Sequence, residues 1–315
     1  MRKILVPIAY FEACRRALEL AGRLAKVVQA DLTVLHVHRP RLRGSPLGLG
    51  AMREKLAEWG LETGPFKLLR QAEESLIELG AIKLDEQINP VQKHALKALA
   101  RGLYEVHLLG PHEENIRLRL REGDPVRRIL EEAEEGGYDL IITGTRGYKG
   151  LKKFLVGSIA EEVAFHAPCS ILVAKNLQPY QGVLVGTDGS APAREAVRQA
   201  GELAQALGTR LKVLAVAEDD DGERAKANLE EALKLLAPLS LRAEPLLRTG
   251  DPLEELVAEA GQEQLIVIGR SERSRIERFF ASSLPLRILE RAEAPVLIAA
   301  PPPSAGGARS EIRPS

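Results

Sequence analysis

Cysteine, aromatic residues and net charge are all scarce in this chain, and each scarcity excludes something. Two cysteines, Cys14 and Cys169, cannot build a disulfide framework, so a reducing, cytoplasmic setting is expected. Aromatics make up only 4%, too few for stacking platforms along a single nucleic-acid strand. The 44 basic side chains are matched by 44 acidic ones, without the basic excess that drives binding to a phosphate backbone. No run approaches the ~20 apolar residues of a membrane span. Met1-Arg2-Lys3 leads straight into Ile4-Leu5-Val6, with no secretory apolar segment between. Neither nucleic acid nor membrane is therefore an expected partner. What remains is the composition of a globular protein, 45% hydrophobic and 28% charged. Its 315 residues suggest two domains at ~150 residues each.

The chain repeats itself. The apolar run Ile4-Leu5-Val6-Pro7-Ile8 returns as Gly182-Val183-Leu184-Val185-Gly186. Each run precedes an amphipathic stretch and then a β-branched run, 32–37 in one half and 211–216 in the other. Arg121-Glu122-Gly123-Asp124-Pro125 is echoed by Arg248-Thr249-Gly250-Asp251-Pro252. Both halves close alike, on Ala167-Pro168-Cys169 and Ala294-Pro295-Val296 followed by apolar residues. Short continuous apolar runs alternating with helical patterns indicate parallel strands buried on both faces. The expected fold is α/β: two Rossmann-like, doubly wound parallel sheets of five strands each. Strands are predicted near 3–9, 32–37, 115–121, 138–144 and 169–174, then 182–187, 210–216, 241–247, 264–269 and 295–299. Asp124 and Asp251 should cap helices that begin with proline. The expected domains are 1–178 and 181–300, with 301–315 a Pro/Gly/Ser-rich disordered tail. The first half carries a surplus at about 40–114, read as a helical insert: a loop at 41–50, then helical periodicity at 52–61, 66–79 and 90–104.

One motif carries chemistry. After the strand ending at Gly144 the sequence runs Gly144-Thr145-Arg146-Gly147, nine further residues, then Gly157-Ser158 before a helical pattern. Gly144 and Gly147 let a ligand approach the backbone closely. Gly157-Ser158 stands at a helix N-terminus, where free N–H groups and the macrodipole favour an anion, and the Ser158 hydroxyl can cap the helix or bond a phosphate. Arg146, Lys149, Lys152 and Lys153 add positive charge. In open α/β sheets ligands bind at the carboxyl ends of strands, where this loop falls. Any one of these glycines is explained by a tight turn alone; the full spacing suits a polyphosphate.

With these residues in place, the chain resembles a tandem member of the universal stress protein family across both halves. The resemblance implies strand order 3-2-1-4-5 in each half and an ATP site, with or without magnesium. Carried over, Gly144, Arg146, Gly147, Gly157, Ser158 and Ile159 would hold ribose and phosphates. Val37 would meet the adenine, and Pro7 and Ile8 would line the end of the first strand. Two departures stand out. Ala9 occupies the place where ATP-binding members usually carry an aspartate. The second half has that aspartate in Thr187-Asp188-Gly189-Ser190, but its loop reads Gly269-Arg270-Ser271-Glu272, nine residues, Ser282-Ser283. A carboxylate and a Cβ thus replace two glycines, leaving Asp188, Gly269 and Ser283 as a remnant. The nucleotide is expected in the first half and the second half is expected to be mainly structural. Charge agrees: residues 1–180 hold 27 basic and 23 acidic side chains, the remainder 17 and 21.

Other candidates read more simply as structure. His36 and His38 share a strand face but have no ligand cluster nearby in sequence. Cys14 and Cys169 suit a core, and Ser158 and Ser190 lack a nucleophile elbow. Asp219-Asp220-Asp221 reads as a solvated loop, and Glu131-Glu132-Ala133-Glu134-Glu135 as the exposed face of a helix. The expected function is nucleotide-dependent stress or regulatory binding, without turnover beyond weak ATP hydrolysis or autophosphorylation. The alternatives are a ligand-free dimerisation module and a nucleotidyl-transferring enzyme. The two halves are expected to form an intramolecular pseudo-dimer through their last strands, with homodimerisation and a regulatory protein partner as further options.

Overall fold

The computed structural model describes residues 1–39, 65–100, 102–145, 157–175, 181–218, 221–239, 241–270 and 283–301. In the first half the elements are β1 (Lys3–Ile8), α1 (Phe11–Val28), β2 (Asp31–His38), α2 (Pro65–Glu78), β3 (Gln92–Ala100), β4 (Leu103–Leu109), β5 (Asn115–Glu122), α3 (Pro125–Gly136), β6 (Leu140–Gly144), α4 (Ser158–His166) and β7 (Ser170–Ala174). The second half has β8 (Gly182–Gly186), α5 (Ala191–Leu207), β9 (Arg210–Ala217), α6 (Gly222–Leu236), β10 (Ala243–Thr249), α7 (Pro252–Ala260), β11 (Gln264–Gly269), α8 (Leu284–Arg291) and β12 (Val296–Ala299). All ten predicted strands are present.

The strands form one twelve-stranded sheet, ordered β10-β9-β8-β11-β12-β7-β6-β1-β2-β5-β4-β3. Each half contributes a parallel five-stranded unit in the expected order. The two units join where β7 and β12 run antiparallel, with Val173 opposite Val296, Leu172 opposite Leu297 and Ile171 opposite Ile298. An apolar strand edge left open invites uncontrolled pairing, and here each half closes the other's. Helices cover both faces. Apolar residues of α1, α2, α5 and α6 build one core layer, and those of α3, α4, α7 and α8 build the other. Along β1 the alternation is strict: Ile4, Val6 and Ile8 enter the first layer, Leu5 the second.

The insert departs from its predicted form. The periodicity at 66–79 is a helix, α2, but 90–104 contributes β3 and the start of β4. The stretches at 41–50 and 52–61 lie outside the described residues. The sequence Lys93-His94-Ala95-Leu96-Lys97-Ala98 has good helix formers, so local propensity pointed the wrong way. Tertiary context overrode it. β5 ends the parallel unit with an open edge, β4 pairs antiparallel along it from Leu103–Arg121 to Leu109–Asn115, and β3 follows as a hairpin. Gly102, at φ +73°, supplies a left-handed turn position. β3 pairs with irregular register, a feature that blunts an outer edge.

The Gly-Asp-Pro repeats behave as predicted. Asp124 Oδ1 accepts from Arg127 N at 3.1 Å, and Asp251 Oδ1 accepts from Leu253 N and Glu254 N at 2.8 and 3.1 Å. The acidic run on α3 does not. Glu132 is 2% exposed and accepts from Arg119, from Arg121 at 3.1 Å and from the Tyr138 hydroxyl at 3.0 Å. The inward arginines of β5 recruit it, a pairing across elements that helical periodicity cannot display.

Candidate functional site

Register places the first-half residues along one edge. Ile4 lies opposite Leu140 and Leu5 opposite Ile141, which brings Ile8 level with Gly144; Ile8 also faces His36 on β2. The crossover from β6 to its parallel neighbour β7 returns α4 from this same carboxyl edge, so its N-terminus opens there. Pro7, Ile8, Val37, Gly144, Gly157, Ser158 and Ile159 are thus gathered at one end of the sheet. Arg146 and Gly147 lie outside the described residues. Pro7 and Ile8 are buried, so they shape the floor from beneath. Val37 and Ile159 are half-buried, and each packs against the core layer beneath α3 and α4. Gly157, rather than Ser158, occupies the N-cap position. Its φ of −79° and ψ of 150° are open to any residue, and as a glycine it brings no side-chain cap of its own to α4. The first four N–H groups of a helix have no intrahelical partner.

His36, read in sequence as a packing residue, holds this edge together. Its Nδ1 lies 2.9 Å from the Ile8 carbonyl, and burial pushes the imidazole below its ordinary range. The neutral ring with Nδ1–H donating satisfies the last carbonyl of β1. Ala9 N in turn donates to the Cys14 thiol at 3.4 Å. Burial raises the Cys14 pKa and pushes Cys169 up to about 12, so both remain thiols at neutral pH. Among the described residues no group of three or more His, Cys, Asp or Glu side chains could hold a metal ion.

The equivalent edge of the second half is built on a different turn. Asp188 Oδ1 accepts from Ser190 N at 2.9 Å, and Ser190 Oγ caps α5 through Ala193 N at 3.3 Å. Gly189 has φ +74°, and a Cβ there would fall 2.3 Å from Asn228 Oδ1. A Cβ on Gly269 would fall 2.4 Å from the backbone of Pro192, so close packing against the start of α5 explains this glycine without a ligand. Ser283 is the N-cap residue of α8 but makes no side-chain cap bond. A cavity of about 1170 Å³ opens between these groups and the ends of β8, β9 and β11.

Two structurally equivalent edges, one per half, agree with a duplicated module, and sequence comparison decides which. The Universal stress protein family matches residues 1–175 and again 179–300. The chain belongs to the universal stress protein family. It is 30% identical over 173 residues to Universal stress protein YxiE of Bacillus subtilis, a match spanning 55% of this chain and 98% of that protein. The crystal structure of a universal stress protein from Archaeoglobus fulgidus superposes with a TM-score of 0.66 at 19% identity, covering 94% of this chain and 97% of that one. That likeness is one of fold.

The two universal stress protein modules also exchange side chains. Lys175, at the end of β7, is wholly buried and donates to the Leu289 carbonyl and, at 2.6 Å, to that of Ala292, at the C-terminus of α8. Arg270, just after β11, donates to the carbonyls of Ala167 and Cys169 at 2.6 and 2.9 Å, beyond the C-terminus of α4. Each module thus places a cation at the negative end of the other's last helix. Ser170, Gln199 and Ala300 add a hydrogen-bonded bridge across β7 and β12. Sequence reasoning missed Lys175, Arg270 and Gln199, because their partners lie more than 100 positions away or across the duplication.

Proposed function

We propose that the module spanning 1–178 holds an adenine nucleotide, ATP with or without magnesium, and that 181–300 completes the fold and the pseudo-dimer without a phosphate site. The observation that carries this reading is the convergence of the Gly144 strand end, the N-terminus of α4 at Gly157 and the half-buried Val37 and Ile159 on one sheet edge. The α4 amides would take phosphate oxygens, Ser158 and Ile159 would flank the ribose and phosphates, and Val37 would meet the base. Arg146 and Gly147 would complete the phosphate loop. Second-module sequence supports the asymmetry, since Glu272 and Ser282 replace Gly147 and Gly157 and Pro285 removes an N–H from the first turn of α8.

The reading is of a binding protein whose occupancy sets partner choice, rather than an enzyme. Near this edge the thiol of Cys14 is held protonated and His36 is committed to the Ile8 carbonyl, which leaves neither as a nucleophile or base. Gly157→Glu tests the proposal: the φ and ψ there need no glycine, and since the position is buried, an unchanged circular dichroism spectrum and melting temperature establish that the variant folds. A carboxylate against the phosphates should weaken ATP by several kcal/mol. Mass spectrometry of the purified protein should find co-purified adenine nucleotide, and calorimetry should find one phosphate-dependent site that Gly157→Glu removes and Ser283→Ala leaves intact. Two equal sites, or undiminished ATP binding by Gly157→Glu, would refute it.

A further inference from the structure

The two ends of the twelve-stranded sheet are finished differently. At one end the hairpin of β4 and β3 covers β5, and β3 itself pairs with irregular register. At the other end β10 is the last strand, and no described strand pairs with its outer edge. Its register with β9 is unbroken from Ala243–Leu211 to Thr249–Ala217. Glu244, Pro245, Leu247, Arg248 and Thr249 are exposed, Leu247 to 42%. A regular, uncovered strand edge is a template for another chain. Gly250 N donates to the Ala217 carbonyl at 3.1 Å, so even-numbered residues of β10 turn their backbone groups toward β9. Odd-numbered residues turn theirs outward. Pro245, which has no N–H, falls in the outward set, as proline at a sheet edge does. Ala243, Leu247 and Thr249 present open N–H groups there. The side chains of Glu244, Leu246 and Arg248 share one face. Among the described residues Glu244 has no ion pair. Arg248 lies 3.4 Å from Glu259, an acid that Lys212 engages more closely, at 2.6 Å.

We propose that β10 pairs antiparallel with β10 of a second copy of this chain, about a twofold axis at Leu246. On that axis Glu244 lies opposite the partner's Arg248, and Arg248 opposite the partner's Glu244. Leu246 meets the partner's Leu246 between the two ion pairs. One strand thus carries both halves of its own charge complement, which is the signature of an isologous contact. The ladder forms in the same register. Leu247 N–H donates to the partner's Pro245 carbonyl, and Ala243 and Thr249 exchange bonds with the partner's Thr249 and Ala243. The absent Pro245 N–H leaves one carbonyl unserved on each chain, that of Leu247. Arg248 Nη1 already donates to that carbonyl at 3.4 Å. Neighbouring axes fail: one at Pro245 sets the two prolines face to face, and one at Leu247 sets Arg248 against the partner's Leu246. The twofold contact closes both open edges and leaves no growing end. It is a small interface, so association is reversible and in the micromolar range. None of this depends on nucleotide binding.

Sedimentation of the full chain over a concentration series should show a monomer–dimer equilibrium. Glu244→Arg and Arg248→Glu change exposed side chains, and each alone sets like charges opposite one another twice. Each should associate about tenfold more weakly than the wild type, and an equal mixture of the two should recover wild-type affinity. Cross-linking fixes the register. Directly opposite, non-hydrogen-bonded residues of an antiparallel pair have Cα atoms about 4.5 Å apart, within disulfide reach. Under mild oxidation Leu246→Cys should cross-link to itself, and Glu244→Cys should cross-link to Arg248→Cys but not to itself. The native Cys14 and Cys169 are buried and give no background. A chain that stays monomeric, growth beyond a dimer, a mixture no tighter than its components, or Glu244→Cys joining to itself would each overturn the proposal.

Discussion

Replacing Lys175 by methionine removes a charge from the seam between the halves, and its effect should depend on pH in a definite direction. The lysine is wholly buried, with its ammonium on the carbonyls of Leu289 and Ala292. Burial lowers its pKa from 10.5 to about 8, against the smaller opposing pull of Glu290 and Glu293. Between pH 8 and 10.5 the folded protein therefore binds fewer protons at this site than the unfolded chain. Stability rises with pH wherever the unfolded state holds more protons. The wild type should gain on the order of 3 kcal/mol relative to Lys175→Met across that window, and nothing below it, where both states are protonated. At pH 7 two effects oppose each other. Methionine relieves the desolvated charge but leaves two buried carbonyls unpaired, at about 1–3 kcal/mol each. The variants should then differ by less than the pH-dependent part. Denaturant unfolding at intervals from pH 7 to 11, each reported as a wild-type minus variant difference, cancels the titration of every other group. A flat difference, or one that moves against the wild type as pH rises, would refute the account of a depressed lysine at the seam.

The other predictions concern single positions. Glu132→Ala removes the buried acceptor shared by Arg119, Arg121 and Tyr138, although Arg119 keeps Glu105 and Arg121 keeps Glu131 and Glu135; it should cost about 1–3 kcal/mol in chemical denaturation, with Glu132→Gln less damaging. Gly269→Ala should lower the melting temperature sharply, because its Cβ would meet the Pro192 backbone at 2.4 Å; an unchanged melting temperature would mean that the close approach is not real. Ala9→Asp should tighten ATP by about 1–2 kcal/mol while leaving inorganic triphosphate unimproved, since a carboxylate can accept from a ribose hydroxyl or an adenine amine but repels phosphate. Ala9 is exposed, Tyr10 is 76% exposed and Phe11 packs into the α1 core layer, so neither of these two rings occupies the place the aspartate would take. Calorimetry with the two ligands reads the difference, and equal tightening of both would count against this placement of β1.

The sequence by itself determined the α/β class, the duplication, the ten strands of the two parallel units, the Asp124 and Asp251 caps and the family. These properties are written locally or by repetition: continuous apolar runs, Gly-Asp-Pro at matching places, a spaced glycine loop. Only the tertiary structure decided the rest. Whether 90–104 became helix or hairpin depended on the open edge of β5, which no local propensity contains. Glu132 was drawn inward by arginines from another element. Lys175 and Arg270 found their carbonyl partners across the duplication. The open cavity of the second half is likewise invisible in a sequence that shows only which glycines are missing. Local patterns select elements because a turn or strand is shaped by its own few residues. Partners, edges and voids arise where distant segments meet, and only the assembled sheet brings them together.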